Sequence, residues 1–417
     1  MVSIKDIASR AKVSIGTVDR VLHNRGRVSE KTKARIEQIV RKLGYRPNIH
    51  ARNLSLDKVY RFGIVIPRLS QDSNYWRIPG SGIEKAGREL QVYNVNLRTH
   101  YFDRYSDHSF ERALDEALKT KPDGLLIAPV LARIAEKLIP KIPRTIPYVF
   151  IDSMIPGTDC LSFIGQDPYQ SGYLASQLMI KSIRDEGSVA IVKVIPDDFH
   201  IAERIRGFLT GVQNTSMKSA RIYEVDSHEG EKAFTAIAGR ILHENKNLRG
   251  IFVSNVWAHS IARHFNAHAG QRKVALIGYD LVEKNLKSLE ADMIDYLISQ
   301  RTEMQGYEGI YCLYEHVVLR EAVKKKIMVP IDILTRDNVQ YYRDYHREEL
   351  WKERNSSLEL ITELILSALL SSMPRTEPRL RRRCFNIHDG RPEDSAIPRA
   401  INFDSIPSIT SKDSSLL

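Results

Sequence analysis

Apolar residues recur at helical spacing in the first 22 residues and predict two short helices joined by a tight turn. The stripe of the first helix consists of Ile4, Ile7, Ala8 and Ala11. Residues 12–14 break this spacing, and Ser14 suits a helix N-cap because its hydroxyl accepts a backbone N–H one turn ahead. The second helix is expected to bury Val18, Val21 and Leu22. Two helices in this arrangement form a helix-turn-helix, whose second helix enters the DNA major groove.

A third helix is predicted between Ser29 and Leu43. Its apolar stripe consists of Ile36, Ile39, Val40 and Leu43. Gly44 and Pro47 are residues that end helices, so the helix is expected to stop there. Three short helices share few apolar residues, as is usual for a small module. Residues 1–47 are therefore expected to form an all-α head, followed by a hinge and linker over residues 48–60.

From residue 62 onward, short apolar runs alternate with amphipathic stretches. The runs predicted as strands are 62–67, 124–129, 148–152, 189–195, 250–255 and 274–280. The stretches predicted as helices include 83–90, 109–118, 170–183 and 233–243. This alternation predicts an α/β fold with parallel sheets, whose ligands bind at the carboxyl ends of the strands. Residues 61–345 are too many for one core, so two lobes are expected.

Positive charge is concentrated in the predicted head. Residues 1–60 carry 14 Lys and Arg against 5 Asp and Glu, a net charge of +9, whereas the whole chain carries +11. A basic excess confined to one small module is typical of nucleic-acid binding, because neutralising phosphates releases counterions. The charge pattern and the helix pattern therefore indicate the same function for residues 1–60.

Sequence motifs of catalysis and metal binding are absent. The chain contains no G-x-S-x-G, G-x-x-x-x-G-K-[ST] or H-E-x-x-H motif. His259, His264 and His268 share one predicted helix, but no cysteine or carboxylate cluster joins them, so no metal site and no cofactor are expected. We therefore expect no enzyme activity.

Three cysteines, Cys160, Cys312 and Cys384, lie far apart in the chain. Their spacing fits a reducing compartment without a disulfide framework. The chain begins directly with the head, and no apolar stretch is long enough to span a bilayer. A cytoplasmic protein without membrane contact is expected.

The last part of the chain, residues 346–417, is predicted to be an extension of the α/β domain. Residues 357–370 form an apolar, helix-like run, and a basic cluster follows at 379–383. The remaining composition, rich in proline, serine and threonine, predicts disorder. Two roles are open for the basic cluster: a secondary contact with DNA phosphate, or a solvated run without a partner.

Residues 2–54 resemble the head and hinge of the LacI/GalR (lactose-repressor) family of bacterial transcription factors. The shared motifs are D-I-A-x-x-A-x-V-S at 6–14, T-V-x-R-V-L at 17–22, V-S-x-x-T-x-x-x-I at 28–36, L-G-Y-x-P-N at 43–48 and A-R-x-L at 51–54. Residues 60–345 resemble the family's effector domain, which has the two-lobed type I periplasmic-binding-protein fold. In that fold the chain crosses between the lobes three times, which maps here near 164–166, 299–301 and 328–331.

The resemblance implies DNA contacts residue by residue. Base reading maps to Ile15, Gly16 and Arg20. Backbone contacts map to Ser14, Thr17, His23 and Tyr45. The segment from Ala51 to Leu54 resembles a hinge helix that forms on DNA, with Leu54 as a minor-groove wedge. Two departures leave the operator sequence open: Asp19 replaces the more usual serine, and Gly16 has no base-reading side chain.

The resemblance also implies a ligand cleft at the strand ends. The positions that map to it are Asn74, Tyr75, Trp76, Asp152, Arg204, Asn255, Asp280 and Gln300. Aromatic rings there would cover the C–H faces of a sugar, and the polar groups would pair its hydroxyls. Ser153 stands where pentose binders commonly have arginine, which argues against assuming ribose. Each polar strand-end residue could instead cap the following helix.

These observations favour a DNA-binding regulator that binds a palindromic operator as a homodimer and responds to a small-molecule effector, in the family a sugar or sugar derivative. Repression is the expected outcome of binding. The two alternatives are a transport-type sugar receptor and an α/β enzyme with an accessory DNA-binding module. The missing signal peptide counts against the former, and the missing catalytic motifs count against the latter.

Overall fold

The structure is a computed structural model of the full chain. It describes residues 4–22, 26, 28–43, 58–183, 187–195, 198–213, 219–268, 270 and 274–343. The apolar run 357–370 and the basic cluster 379–383 lie outside the described residues, as does Cys384.

The head consists of three helices: α1 (Ile4–Ala11), α2 (Ile15–Leu22) and α3 (Glu30–Leu43). Ile7, Ala11, Val18 and Ile36 are fully buried and join the three helices in one small core. Ser14 and Ser29 stand before α2 and α3, where each Oγ accepts from the backbone N–H three residues ahead, at 3.2 and 3.4 Å. The periodicity and the capping residues therefore predicted the helices of the head correctly.

The rest of the described chain alternates strands and helices. The strands are β1 (Tyr60–Pro67), β2 (Val95–Phe102), β3 (Gly124–Ile127), β4 (Tyr148–Ile151), β5 (Ser162–Gly165), β6 (Ser188–Ile195), β7 (Ser219–Asp226), β8 (Leu248–Val253), β9 (Ala275–Tyr279), β10 (Tyr296–Ser299), β11 (Lys326–Met328) and β12 (Asp332–Leu334). The helices are α4 (Arg77–Leu90), α5 (Asp107–Lys119), α6 (Ala132–Leu138), α7 (Pro168–Ser182), α8 (Phe199–Val212), α9 (Glu231–Glu244), α10 (Ala258–His268), α11 (Glu283–Glu290) and α12 (Thr302–Tyr314). No described helix combines the length and the apolar character that a bilayer crossing requires.

The strands form two six-stranded sheets, which define two lobes. The order is β2-β1-β3-β4-β5-β11 in lobe 1 and β7-β6-β8-β9-β10-β12 in lobe 2. All neighbouring strands are parallel except β10 and β12, which pair antiparallel. The two-lobed α/β fold with parallel sheets expected from the sequence is confirmed. The chain passes between the sheets at 165–168, 299–302 and 328–332.

Both sheets are buried in apolar cores. In lobe 1, Phe62, Leu126 and Phe150 are completely buried. In lobe 2, Phe208 of α8 stacks on Phe252 of β8 with ring centroids 4.3 Å apart. Six strands were not predicted from the sequence. The edge strands β2 and β7 carry charged residues on their exposed faces, and β5, β10, β11 and β12 are only three or four residues long, and no long apolar run marks them.

Helices α7 and α8 of lobe 2 pack so closely that glycine is required at their contact. A Cβ atom on Gly207 would lie 2.0 Å from the backbone oxygen of Tyr169, and one on Gly172 would lie 1.9 Å from the backbone oxygen of Arg204. The glycine of the R-x-x-G sequence, Arg204 to Gly207, therefore lets α8 approach α7. This close packing holds Arg204 in a fixed position.

Replacing Gly207 with alanine is expected to lower the free energy of unfolding by about 1–3 kcal/mol, because the two helices must separate. Gly239→Ala in α9 is the matched control, since its new Cβ would approach no atom closer than 3.4 Å. That control should be neutral or stabilising, because alanine is the better helix former. Equal melting temperatures for the two variants would contradict the contact.

Candidate ligand cleft and DNA-reading helix

A polar cleft lies between the two lobes at the carboxyl ends of their strands. In sheets of this order, the strand ends near the switch point between β1 and β3, or between β6 and β8, form a natural binding crevice. The lining residues are Asp72, Tyr75, Trp76, Arg104, Asp152, Val194, Asp198, His200, Ile201, Arg204, Asn255, Val256, Asp280 and Gln300. The free space between these side chains is small, about 30 Å³, well below the roughly 300–1,000 Å³ typical of ligand pockets. A ring-sized ligand therefore needs a wider cleft than the one in this structure.

The turn after β1 supplies three of these side chains. Asp72, Ser73 and Asn74 all adopt positive φ angles, between 50° and 67°. In this turn Asp72 is buried and accepts from the indole Nε1 of Trp76 at 3.0 Å. Tyr75 is also buried, and its hydroxyl donates to Asp152 Oδ1. The turn thus anchors both aromatic rings to carboxylates of lobe 1.

Arg104 joins the two lobes through buried ion pairs. Its Nη1 lies 2.7 Å from Asp72 Oδ2 in lobe 1, and its Nη2 lies 2.9 Å from Asp198 Oδ2 in lobe 2. The neighbouring Tyr105 hydroxyl lies 3.0 Å from both Asp72 Oδ1 and the backbone oxygen of Ser227 in lobe 2. These contacts hold the lobes together in the structure.

Asp152 follows β4 with a φ of 67° and is buried. Burial raises the pKa of its carboxyl group. His200 is the basic side chain that lies within 4.0 Å of this carboxylate among the described residues, with its Nδ1 3.8 Å from Asp152 Oδ2. Burial holds the pKa of His200 well below its usual range, and Arg204 and Arg104 lower it further. His200 is therefore neutral near pH 7, and the contact is not an ion pair.

Arg204 and Asp280 form the wall of lobe 2. Arg204 is 1% exposed, donates from Nη1 to the backbone oxygen of Ser254 at 3.0 Å, and stacks 4.0 Å from the ring centroid of Tyr279. Asp280 follows β9 with a φ of 71° and accepts from Gln300 Nε2 at 2.7 Å. Burial raises the pKa of Asp280 to about 7, although Arg204 and the Gln300 hydrogen bond act in the opposite direction.

The structure brings together most of the predicted effector residues. Those that line the cleft are Tyr75, Trp76, Asp152, Arg204, Asn255, Asp280 and Gln300. Asn74 does not line it: this side chain is exposed and accepts from Arg77 Nε at 3.2 Å. The left-handed turn directs Asp72, rather than Asn74, toward the cleft.

Four charged or polar lining residues were not predicted from the sequence. They are Asp72, Arg104, Asp198 and His200. Arg104 follows the unpredicted edge strand β2. Asp198 and His200 follow β6, a strand that the apolar pattern did locate. Applying the strand-end rule to every strand, rather than to the family positions alone, would have identified Asp198 and His200.

The residues of α2 that are predicted to read bases lie on its exposed face, and their role at DNA stays a prediction. Ile15 is 48% exposed although it is aliphatic, and Gly16 and Arg20 are exposed. The Ser14 hydroxyl caps the helix and lies 2.9 Å from Thr17 Oγ1. His23, Tyr45, Ala51 and Leu54 lie outside the described residues, as does the side chain of Asp19. Their assigned roles at DNA stay predictions.

The histidine-rich helix α10 has ordinary packing roles. His259 is buried and its Nδ1 lies 2.9 Å from Asn285 Oδ1, while the rings of His264 and His268 stack 4.3 Å apart. Within the described part of the chain, no group of three or more histidine, cysteine or carboxylate side chains could hold a metal ion. Cys160 and Cys312 are free thiols.

A helix-turn-helix head followed by two α/β lobes with a polar cleft between them is the architecture of a class of transcriptional regulators. Comparison with known families identifies both parts. Residues 3–48 match the model of the bacterial regulatory proteins of the LacI family, and residues 62–321 match the periplasmic binding protein domain. The chain belongs to the periplasmic-binding-protein domain family and carries a LacI-family helix-turn-helix; it is a DNA-binding regulator of the LacI family.

Individual relatives agree with this assignment. The chain is 33% identical over 179 residues to the transcriptional regulator RegA of Clostridium acetobutylicum, a match that covers 39% of this chain and about half (51%) of that protein. It is 26% identical over 334 residues to the transcriptional repressor PurR of Edwardsiella ictaluri, covering 74% of this chain and 94% of that protein. A crystal structure assigned as a LacI transcriptional regulator from Bacteroides fragilis superposes with a TM-score of 0.63 at 25% identity, covering 68% of this chain and all of that one.

Proposed function

We propose that this regulator represses transcription by binding a palindromic operator as a homodimer, and that a small polyhydroxylated ligand sets its affinity for the operator. The ligand would be a sugar or a sugar derivative. The observation that carries this proposal is the cleft itself, where buried hydrogen-bonding groups from both lobes converge on one cavity. We assign residues 1–47 to DNA reading and residues 61–345 to ligand binding and dimerisation.

The cleft has the two features that recognition of a polyol requires. Arg204 supplies a rigid set of donors, and Asp152 and Asp280 supply acceptor oxygens. Arg204 Nε and His200 Nδ1 are buried and have no hydrogen-bond partner among the described residues. Because unpaired buried polar atoms are costly, such atoms are suited to a ligand's hydroxyl groups. The rings of Tyr75 and Trp76 add apolar surface.

Ligand control of DNA binding follows from the position of the cleft between lobes. A ligand that contacts both lobes changes the equilibrium between open and closed arrangements by its differential affinity for them. The covalent connection from the head reaches lobe 1 at β1. In a dimer, lobe closure would therefore change the separation of the two hinges. A homodimer is needed because one small helix-turn-helix reads only a half-site.

Replacing Arg20 with alanine is expected to weaken binding to the operator by 5- to 150-fold, about 1–3 kcal/mol, and to relax the preference at one base pair. The operator would first be selected from random duplexes with the wild-type protein. Arg35→Ala is the matched control because it removes the same charge from the exposed surface of α3. If Arg20→Ala weakened binding equally on all sequences, Arg20 would contact phosphate rather than a base.

The ligand-dependent part of the proposal is tested with the same operator. Compounds that raise the melting temperature of the full chain bind its native state, and each would be added to the operator complex. At least one such compound should change the operator affinity by fivefold or more. Compounds that stabilise the protein without changing operator affinity would contradict ligand control.

A further inference from the structure

The cleft carries more negative than positive charge. Among the described residues that line it, four are carboxylates, Asp72, Asp152, Asp198 and Asp280, whereas two are guanidinium groups and none is a lysine. All four carboxylate residues are at most 6% exposed. His200 does not change this balance, because burial holds its pKa well below the usual range and the ring is neutral near pH 7.

The two arginines do not neutralise the four carboxylates evenly. Arg104 forms ion pairs with both Asp72 and Asp198, at 2.7 and 2.9 Å. Arg204 forms no ion pair within 4.0 Å among the described residues, because it donates to a backbone oxygen and stacks on Tyr279.

Asp152 and Asp280 therefore make their hydrogen bonds to neutral donors, while Arg204 acts on both charges only from beyond 4.0 Å. Asp152 accepts from the hydroxyl of Tyr75, and Asp280 accepts from the amide of Gln300. No lysine or arginine in the described part of the chain lies within 4.0 Å of either carboxylate. The two residues stand at the ends of β4 in lobe 1 and β9 in lobe 2, and they line the same cavity.

Two buried carboxylates in one cavity are costly unless a cation or a proton neutralises them. Burial and the neighbouring Asp152 raise the pKa of Asp280, to about 7. A proton thus compensates part of the charge near neutral pH. A ligand cation in the cavity would compensate it better, because an ammonium group donates charge-assisted hydrogen bonds to both carboxylates.

We propose that the ligand carries a protonated amino group that binds between Asp152 and Asp280, and that the ligand class is a small polyhydroxylated amine such as an amino sugar or an amino polyol. This inference rests on the proposed function, in which the cleft is the ligand site. The unpartnered Arg204 Nε and His200 Nδ1 would pair with the hydroxyl groups of the ligand. Sugar phosphates and sugar acids are excluded because they add negative charge to the cavity.

The test is a thermal-shift panel on the full chain at pH 7, built from matched compounds. Glucosamine, galactosamine and mannosamine are each compared with the parent sugar, the N-acetylated sugar and the corresponding sugar acid, and glucamine is compared with sorbitol. At least one amine should bind at least tenfold more tightly than its neutral parent. The proposal is overturned if no amine raises the melting temperature more than its parent does. Tris is itself a polyhydroxylated amine, so the buffers are phosphate and HEPES.

The variant Asp280→Asn tests whether the preference for an amine depends on the proposed contact with Asp280. This variant should lose at least tenfold in affinity for the amine and bind the neutral parent with less change. Asp292→Asn is the matched control, because Asp292 also has a positive φ, of 59°, but its side chain is 73% exposed. Equal losses of amine and parent binding in Asp280→Asn would contradict an ammonium contact.

Calorimetry in phosphate and in HEPES at pH 7 measures the protons exchanged on binding. The amine should release more protons from the wild type than from Asp280→Asn, because it displaces the proton shared by Asp280; net proton uptake by the wild type relative to the variant would overturn the contact. The two proposals fail separately. A neutral sugar that binds the cleft and changes operator affinity would retain the proposed function and overturn the amine preference.

Discussion

Arg104→Met is expected to be the most destabilising single change in the cleft. The variant leaves Asp72 and Asp198 buried without the guanidinium that now lies within 3 Å of both. Breaking a buried ion pair by removing one partner costs about 3–5 kcal/mol, and here one cation serves two carboxylates. The measurement is the midpoint of chemical unfolding at pH 8. At this pH the cost of burying an unpaired carboxylate is largest, whether the group stays charged or takes up a proton.

The loss should shrink as the pH falls. Without Arg104, acid neutralises the two buried negative charges that the guanidinium now compensates, so the cost of losing it falls. A triple variant with Asp72→Asn and Asp198→Asn added should recover most of the stability, because both charges are gone. If Arg104→Met unfolded at the wild-type midpoint at pH 8, the ion pairs would not contribute to stability.

Asp280→Asn is expected to stabilise the ligand-free protein at pH 8. The folded-state pKa of Asp280 is about 7. The pKa of an aspartate in an unfolded chain is about 3.9. A group whose pKa is raised on folding contributes stability that is fully present below the unfolded pKa and is lost as the pH rises through the folded pKa. Wild-type protein should therefore lose up to about 4 kcal/mol between pH 4 and pH 8, at 1.36 kcal/mol per pH unit.

Asparagine has no charge to bury, and its side-chain oxygen can still accept from Gln300. Asparagine also tolerates the positive φ of 71° at this position. The variant and the wild type should thus have similar stability at pH 4 and diverge as the pH rises, which unfolding curves at several pH values would show. The exposed control Asp292→Asn should follow the wild type at every pH. A constant difference between Asp280→Asn and wild type across this range would mean that Asp280 does not titrate on folding.

Much of the molecule was predictable because the information is local. The capping serines and the apolar stripes of α1–α3 specify helix ends and faces within a few residues of each position. The information for β1, β3, β4, β6, β8 and β9 is also local, since a strand buried on both faces reads as a continuous apolar run, whereas the short strands β5 and β10 do not give this signal. Edge strands such as β2 and β7 carry no such signal, because one side of each is exposed.

The polar cleft residues that follow the strands were predictable in part. Asp152 and Asp280 directly follow apolar strands and Asn255 stands two residues after one, and the order of strands in a parallel sheet places such ends on one rim. Arg104 and Asp72 could not be recognised in this way. Arg104 follows an edge strand, and Asp72 is turned into the cleft by three consecutive positive φ angles that no local pattern of Asp-Ser-Asn requires.

The class of the protein could be recognised from the sequence alone, since the head, its charge and the alternating α/β pattern each depend on short-range order in the chain. The electrostatics of the cleft, in contrast, depend on the folded arrangement. Arg104 pairs with Asp198, which lies 94 positions away in the chain. Arg204, which was predicted to bind the effector, stacks on Tyr279 and donates to a backbone oxygen. Which carboxylates are neutralised depends on distances between the lobes and on burial, and neither quantity is encoded in any single segment of the chain.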